Sequence, residues 1–175
     1  MSRVLIVYYS RTGTVRRAAA QLRQITGWEI AEVRDHRPRA GLGGDLRCVF
    51  DALFGRCAPY AYDGPAMGGF DRLVVLAPIW LDGLASPMRA WLRSADRPDR
   101  RVSLVCVMAR HGAFRAADEV TTILGEAPEP VVALAQSEVL DGRCAAALAS
   151  LAATITALDA ERAAVRSIGR SSAVV

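Results

Sequence analysis

The fold is decided by the stretch Val4–Tyr9, VLIVYY, and by the polar segment Ser10-Arg11-Thr12-Gly13-Thr14 that follows it. A nearly continuous run of β-branched and aromatic residues is typical of a strand that is buried on both faces of a parallel sheet. After the polar segment, residues 14–25 carry apolar side chains at helical spacing. The chain therefore begins with a strand, a hydroxyl-rich loop and a helix, which form the first half of a βαβ unit.

The same alternation continues along the chain. Further strands are predicted at residues 29–33, 73–79, 102–108 and 131–135, and further helices at residues 42–54, 87–94, 113–124 and 142–163. Ser86 precedes Pro87 and is predicted to be the N-cap of its helix. Five strands alternating with helices predict an α/β fold, a doubly wound five-stranded parallel sheet with helices on both faces. We expect a single domain over residues 1–166, loops at residues 37–44 and 58–69, and a flexible tail over residues 167–175.

Composition narrows the possible functions. Hydrophobic residues make up 52% of the 175 residues and charged residues 23%, which is typical of a globular chain and not of a disordered one. All 22 cationic side chains are arginines, so chemistry that needs a lysine amine is excluded, including Schiff bases and the lysine-bearing P-loop. The net charge is +4, but arginines and acidic residues are interleaved, so we expect no nucleic-acid partner.

The four cysteines lie far apart in the sequence, at positions 48, 57, 106 and 144. This spacing indicates neither a disulfide framework nor a metal site. The N-terminus shows no signal peptide, and the charge-free stretch at residues 144–158 is shorter than the roughly 20 residues that a membrane span needs. We therefore expect a cytoplasmic protein with no membrane span.

In a doubly wound sheet, ligands bind outside the carboxyl ends of the strands. The first such loop, residues 10–14, offers three hydroxyls and one glycine at the start of a helix, an arrangement that favours an anion such as a terminal monophosphate. The alternative is that Ser10 and Thr12 only cap the helix.

Two further loops lie at the same predicted edge. In Pro78-Ile79-Trp80-Leu81-Asp82-Gly83, the tryptophan offers a flat apolar face for a planar ring, or else closes the edge of the core. In Ala109-Arg110-His111-Gly112, the arginine and the histidine are candidate partners of such a ring, although a lone loop histidine is more often a surface residue.

These segments carry a family resemblance. VLIVYYSRTGTVRRAA resembles the phosphate loop of the flavodoxin-like proteins, which reads Ser/Thr-x-Thr-Gly-x-Thr. LVVLAPIWLDGLASPMRAWL resembles their second loop, where a strand ends in Pro-x-Trp, and RAGLGGDLRCVFDALFGR is similar to the helix between the two loops. The resemblance implies the strand order 2-1-3-4-5 with FMN at the first and third strands, the arrangement for which flavodoxin is itself the standard example.

The resemblance also implies which residues bind the cofactor. The first loop would hold the FMN phosphate, the second would flank the isoalloxazine ring, and the third would complete the far side of the ring. The implied cofactor-binding residues are Ser10, Arg11, Thr12, Gly13, Thr14, Val15, Pro78, Ile79, Trp80, Leu81, Gly83, Ala109, Arg110, His111 and Gly112. Because the flavin carries the chemistry, no side chain is expected to be catalytic, with Arg110 and His111 as the candidate ring partners.

We therefore expect an FMN-dependent oxidoreductase with NADPH or NADH as the electron donor. The electron acceptor would be a quinone-like or other small molecule, or a redox partner protein. A one-electron flavodoxin-type carrier is the first alternative, but carriers of this family are typically acidic. A flavodoxin-like binding module without FMN is the second, because Val15 stands where the family loop has a hydroxyl. A third alternative is a protoporphyrinogen-oxidising relative of the same family. The oligomeric state stays open, and a homodimer is one of the possibilities.

Overall fold

The computed structural model describes residues 2–35, 59–80, 83–94, 101–109 and 112–171. The strands of this part of the chain are β1 (Val4–Tyr9), β2 (Glu29–Asp35), β3 (Tyr60–Asp63), β4 (Arg72–Trp80), β5 (Gly83–Leu84), β6 (Arg101–Met108) and β7 (Val131–Ala135). The helices are α1 (Thr14–Thr26), α2 (Ser86–Arg93), α3 (Ala113–Leu124), α4 (Gln136–Leu140) and α5 (Ala145–Ser171), with a 3-10 turn at Met67–Gly69.

The sheet has the order β3-β2-β1-β4-β6-β7, and β5 pairs with β4. The pairs β1–β2, β1–β4, β4–β6 and β6–β7 are all parallel, so five strands follow the predicted order 2-1-3-4-5. The central position of β1, β4 and β6 explains their continuous apolar sequences, because each is covered on both faces. The predicted α/β fold with a mostly parallel sheet is confirmed.

Two hydrophobic cores lie on opposite faces of the sheet. Alternate residues of β1 point to different faces, so Leu5 and Val7 pack with α2 and α3, whereas Val4 and Ile6 pack with α1, α4 and α5. Helices on both faces are what makes this a doubly wound sheet. The same arrangement leaves the carboxyl ends of the strands open at one edge of the molecule.

The structure differs from the predictions at three places. Residues 60–63, predicted to lie in a loop, form the edge strand β3, which is antiparallel to β2. Ser86 is not the N-cap of α2; Ala85 is, and Ser86 is the first residue of the helix. The predicted closing helix at residues 142–163 begins later, at Ala145, because Gly142 has a left-handed φ of 75°. The short helix α4 before Gly142 was not predicted.

Two other predictions are not decided by the structure. The predicted helix at residues 42–54 lies outside the described residues. Helix α5 continues to Ser171, which is five residues into the predicted tail. The flexibility of residues 167–175 stays a prediction, as does the domain boundary at residue 166.

A network of buried charges lies at the amino ends of β4 and β6, opposite the open edge. Asp159 of α5 accepts hydrogen bonds through Oδ1 from Nη2 of Arg72 at 2.8 Å and from Nη1 of Arg101 at 2.6 Å. Nη1 of Arg72 also donates to Ser103 Oγ at 3.0 Å, and Ser103 Oγ donates to the Glu129 carbonyl at 2.9 Å. These contacts join α5 to two central strands, with 2% of the Arg72 side chain and 7% of the Asp159 side chain exposed.

Candidate functional site

The residues that follow four parallel strands meet around one cavity of about 150 Å³. It lies at the carboxyl edge of the sheet, where β1, β4, β6 and β7 end. Its lining residues are Ser10, Arg11, Thr12, Thr14, Val15, Pro78, Ile79, Trp80, Val107, Ala109 and Gln136. The strand order reverses between β1 and β4, and an open α/β sheet binds its ligands at such a reversal.

One wall of the cavity is the start of helix α1. Gly13 is the N-cap with a left-handed φ of 89°, and its carbonyl accepts the first helical hydrogen bond, from the Arg17 N–H at 3.0 Å. The backbone N–H groups of the first turn, starting at Thr14, therefore have no partner within the helix. The first turn contains no acidic residue. This end of α1 carries the positive end of the helix dipole and suits an anion.

Hydroxyl groups surround the same helix end. The Oγ1 atoms of Thr12 and Thr14 lie 3.4 Å apart. The Oγ atom of Ser10 is buried and has no hydrogen-bond partner among the described residues. A buried hydroxyl without a partner costs about 1–3 kcal/mol, so such a group calls for a ligand that can bond to it. A phosphate oxygen is an acceptor of this kind, and the donor set of this wall fits it.

The opposite wall is aromatic. The ring of Trp80 makes an edge-to-face contact with Tyr9, with 6.1 Å between the ring centroids and an angle of 82°. The guanidinium carbon of Arg11 lies 5.9 Å from the centroid of Trp80, so a cation also stands over this wall. The Tyr9 hydroxyl donates to Asp35 Oδ2 at 2.7 Å, which ties the tyrosine to the end of β2. The Trp80 side chain is thus held next to the anion-binding wall by Tyr9 of β1 and by Arg11 of the loop that follows β1.

Charges behind the first wall are paired with one another. Arg16 of α1 and Arg34 of β2 both donate to the Glu32 carboxylate, at 2.7 and 2.8 Å. Burial alone disfavours the charged carboxylate, but these two hydrogen bonds outweigh it and hold the pKa of Glu32 below its ordinary value. The hydrogen bond to Glu32 raises the pKa of Arg16 in turn. Arg16 therefore stays charged and is bound to the sheet.

The described residues contain neither a group of three or more histidine, cysteine and acidic side chains that could hold a metal ion nor a helix long and apolar enough to cross a membrane.

No protein-family model and no curated protein matches the chain. Solved structures do match it. A flavoprotein from Lactobacillus acidophilus in complex with FMN is 16% identical with a TM-score of 0.60, over 81% of this chain and 98% of that chain. A candidate flavoprotein from Bacteroides eggerthii is 16% identical with a TM-score of 0.69, over 81% and 95%. The apo form of an NADH:FMN oxidoreductase is 16% identical with a TM-score of 0.52, over 87% of each chain.

The chain has the flavodoxin-like fold. The strand order, the hydroxyl-rich loop after β1 and the tryptophan at the end of β4 agree with the resemblance in the sequence.

The flavodoxin-like fold brings most of the predicted site residues together. Nine of the fifteen line the cavity: Ser10, Arg11, Thr12, Thr14, Val15, Pro78, Ile79, Trp80 and Ala109. Three glycines shape the surrounding backbone without lining it, since Gly13 caps α1, Gly83 pairs with Trp80, and Gly112 caps α3 with a φ of 118°. Leu81, Arg110 and His111 lie outside the described residues. The binding roles of all fifteen stay predictions.

Sequence reasoning missed two lining residues, Val107 and Gln136. Val107 is the penultimate residue of β6 and was taken only as part of a buried strand. Gln136 is the first residue of α4, directly after β7. Its position at the carboxyl end of a predicted parallel strand was a usable signal, because all such ends meet at the same edge.

Proposed function

We propose that the chain is an FMN-binding oxidoreductase that moves electrons from a reduced nicotinamide to a quinone-like or other small acceptor. The observation that carries the proposal is the buried hydroxyl of Ser10, which has no hydrogen-bond partner in the part of the chain that the structure describes. It lies beside the amino end of α1 and lines the same cavity as Trp80. A phosphate group and a planar ring belong to the same cofactor, and this cavity offers a wall for each. The solved flavoprotein with FMN and the NADH:FMN oxidoreductase of the same fold support this choice of cofactor.

The first loop would bind the phosphate end. The free N–H groups of α1 donate toward the cavity, and the hydroxyls of Ser10, Thr12 and Thr14 add donors without adding charge. Arg11, which also stands over Trp80, is the one positively charged side chain among the described residues that line the cavity. Val15 offers no hydroxyl, and Gln136, which lines the same cavity, provides an amide group from another strand end. This donor set binds a phosphate without a lysine.

The second loop would bind the ring end. Trp80 supplies a flat apolar surface that contacts Tyr9 edge to face, and the backbone of Ile79, Trp80 and Gly83 would supply polar groups near the ring edge. When bound, FMN accepts a hydride from a reduced nicotinamide and gives electrons to an acceptor. The contribution of the chain is to orient the ring and keep water from one of its faces. Ala109–Gly112 would complete the far side, with Arg110 and His111 as proposed ring partners.

The test is a titration of the purified protein with FMN, followed by flavin fluorescence and absorption. We expect binding with quenching of the flavin, and weaker quenching in Trp80→Ala. The matched control is Trp28→Ala, because Trp28 packs on the other core and does not line the cavity. Absence of binding at saturating FMN would refute the cofactor assignment and leave a binding module of the same fold.

Turnover separates a reductase from an electron carrier. The net charge of +4 favours anionic small partners such as a nicotinamide phosphate over a basic partner protein. We therefore expect the FMN-loaded protein to oxidise NADPH steadily in the presence of a quinone. Binding of FMN without such turnover would favour the one-electron carrier. A cytoplasmic location and a homodimer stay predictions from the sequence.

A further inference from the structure

A buried ion pair lies beside the ring wall but does not line the cavity. It joins Arg89 of α2 to Glu119 of α3, with Nε of the arginine donating to Oε1 of the carboxylate. Only 4% of the Arg89 side chain and 20% of the Glu119 side chain are exposed. Burying two charges costs several kcal/mol per ion, and an apolar pair of similar volume often gives equal stability. We therefore expect the pair to contribute mainly by fixing the geometry of the backbone that it contacts.

The pair holds both peptide groups of a single residue. The N–H of Leu84 donates to Glu119 Oε2 at 2.9 Å, and Nη2 of Arg89 donates to the carbonyl oxygen of Leu84 at 3.1 Å. Leu84 lies in the short strand β5, which pairs antiparallel with the end of β4. Two helices thus fix the backbone of β5 by hydrogen bonds from or to charged groups, which are stronger than neutral ones.

Strand β5 is paired with the ring wall itself. Leu84 lies opposite Ile79, and Gly83 lies opposite Trp80. Ile79 and Trp80 both line the cavity. A Cβ atom at Gly83 would lie 3.0 Å from Arg89 Nη2 and 3.4 Å from Glu119 Oε2, so the ion pair is packed directly against this hairpin. A shift of Leu84 would therefore move the backbone of Trp80.

We propose that Arg89 and Glu119 are positioning residues that fix the hairpin of Trp80 and Gly83 in its ring-binding geometry. The proposal rests on the proposed function, because the ring in question is the isoalloxazine of FMN. Neither Arg89 nor Glu119 is among the residues that line the cavity. Both act through the peptide groups of Leu84, and their removal loosens the ring wall while the phosphate wall at α1 stays intact.

The test compares FMN with riboflavin, which has the same ring and no phosphate. Glu119→Gln removes the negative charge that holds Arg89. It also replaces one of the two acceptor oxygens by an NH₂ group, so the side chain no longer accepts from both Arg89 and the Leu84 N–H. We expect the dissociation constants of both flavins to rise about tenfold, as for the loss of one charge-assisted hydrogen bond. We also expect faster hydrogen exchange at the Leu84 amide. A change at the phosphate wall would instead raise the dissociation constant of FMN and leave that of riboflavin unchanged.

Two controls separate positioning from general destabilisation. Asp118→Asn makes the same charge change on an exposed residue of α3 and leaves both dissociation constants unchanged. Asp159→Asn disrupts the buried network at the other end of the sheet, so it lowers Tm but leaves flavin affinity unchanged. If Asp159→Asn weakens flavin binding as much as Glu119→Gln does, the effect is general and the proposal is overturned.

A second variant covers the case in which Glu119→Gln does not fold. Arg89→Lys keeps the positive charge, but a single ammonium replaces the fork that contacts Glu119 and the Leu84 carbonyl together. We expect this variant to fold and to bind both FMN and riboflavin more weakly than the wild type does. Wild-type affinity in a folded variant of either residue overturns the proposal. If the wild-type chain binds no flavin, the proposed function fails. Independently of that result, an unchanged rate of hydrogen exchange at the Leu84 amide in these variants would show that the Arg89–Glu119 ion pair does not hold the hairpin.

Discussion

Replacement of Ser10 by alanine has opposite consequences for the free protein and for its complex with FMN. In the free protein, Ser10 Oγ is buried without a hydrogen-bond partner among the described residues. Ser10→Ala removes this unsatisfied group, so we expect the free energy of unfolding to rise. With FMN present, the same hydroxyl is a donor to the phosphate, so we expect the affinity to fall.

Both magnitudes follow from the cost of an unmade hydrogen bond. An unsatisfied buried hydroxyl costs about 1–3 kcal/mol, and for a domain of this size each 1 kcal/mol shifts Tm by about 2–4 °C. We expect the free Ser10→Ala protein to melt at least about 2 °C higher than the wild type. A hydrogen bond to a charged group contributes about 1.5–3 kcal/mol, so the dissociation constant for FMN rises about 10- to 150-fold.

The assay is calorimetric unfolding of the free protein combined with titration of FMN and riboflavin. Riboflavin affinity stays unchanged, because riboflavin has no phosphate. Ser103→Ala is the matched control, since Ser103 is a buried serine whose hydroxyl accepts from Arg72 and donates to the Glu129 carbonyl. We expect this control to lower Tm and to leave FMN binding unchanged.

Two results would refute the reasoning about Ser10. A Ser10→Ala protein that melts lower than the wild type would show that its hydroxyl is satisfied in the free state. Unchanged FMN affinity in a wild-type chain that does bind FMN would show that Ser10 does not contact the phosphate. A parallel loss of riboflavin affinity would place the effect at the ring.

The remaining expectations concern stability and reactivity. Asp159→Ala removes the carboxylate that pairs with the buried Arg72 and the partly buried Arg101, and we expect it to lower the free energy of unfolding by about 3–5 kcal/mol in denaturant titrations. Loss of the exposed Arg3–Glu29 pair costs at most about 1 kcal/mol, and equal losses in the two cases would contradict this assignment. The pKa of Glu32 is held below its ordinary 4.5, so the stabilisation by its carboxylate is complete above pH 4.5 and is lost as the pH falls through the lowered pKa. We expect Glu32→Gln to remove this part of the acid dependence of the unfolding free energy. The same acid dependence in the variant and the wild type would contradict this role of Glu32. Burial raises the pKa of Cys106 to about 12, so mass spectrometry after alkylation at pH 8 finds this cysteine unmodified unless the chain is unfolded.

The central strands were predictable because burial on both faces leaves a continuous apolar run. The prediction for β1 is confirmed at both ends, and β4 extends the predicted strand by one residue on each side. Strand β3 was missed for the opposite physical reason. Its four residues, YAYD, alternate between half-buried and exposed, pair with one neighbour only, and stand between prolines that indicate a loop. A strand of this kind is specified by its partner β2 and not by its own sequence.

The candidate site was predictable where it depends on the order of strands and loops. Ser10, Thr12 and Trp80 were found because each follows or ends a recognisable strand. Gln136 was missed because only the loops after three of the strands were considered, although it stands directly after β7 at the same edge of the sheet. The ion pair of Arg89 and Glu119 joins residues 30 positions apart on two helices, and only the folded chain brings them together.

The edge strand β3 also affects how the molecule behaves toward its own copies. Without it, the outer backbone groups of β2 would be free to pair with any extended chain, as the open edges of sheets do in aggregates. β3 covers that edge with only four residues, and Asp63 at its end pairs with Arg34 of β2 at 2.8 Å. A short strand that ends in a charged residue is a poor template for a further strand. The strand that was missed in the sequence therefore makes this side of the sheet less able to pair with another copy of the chain.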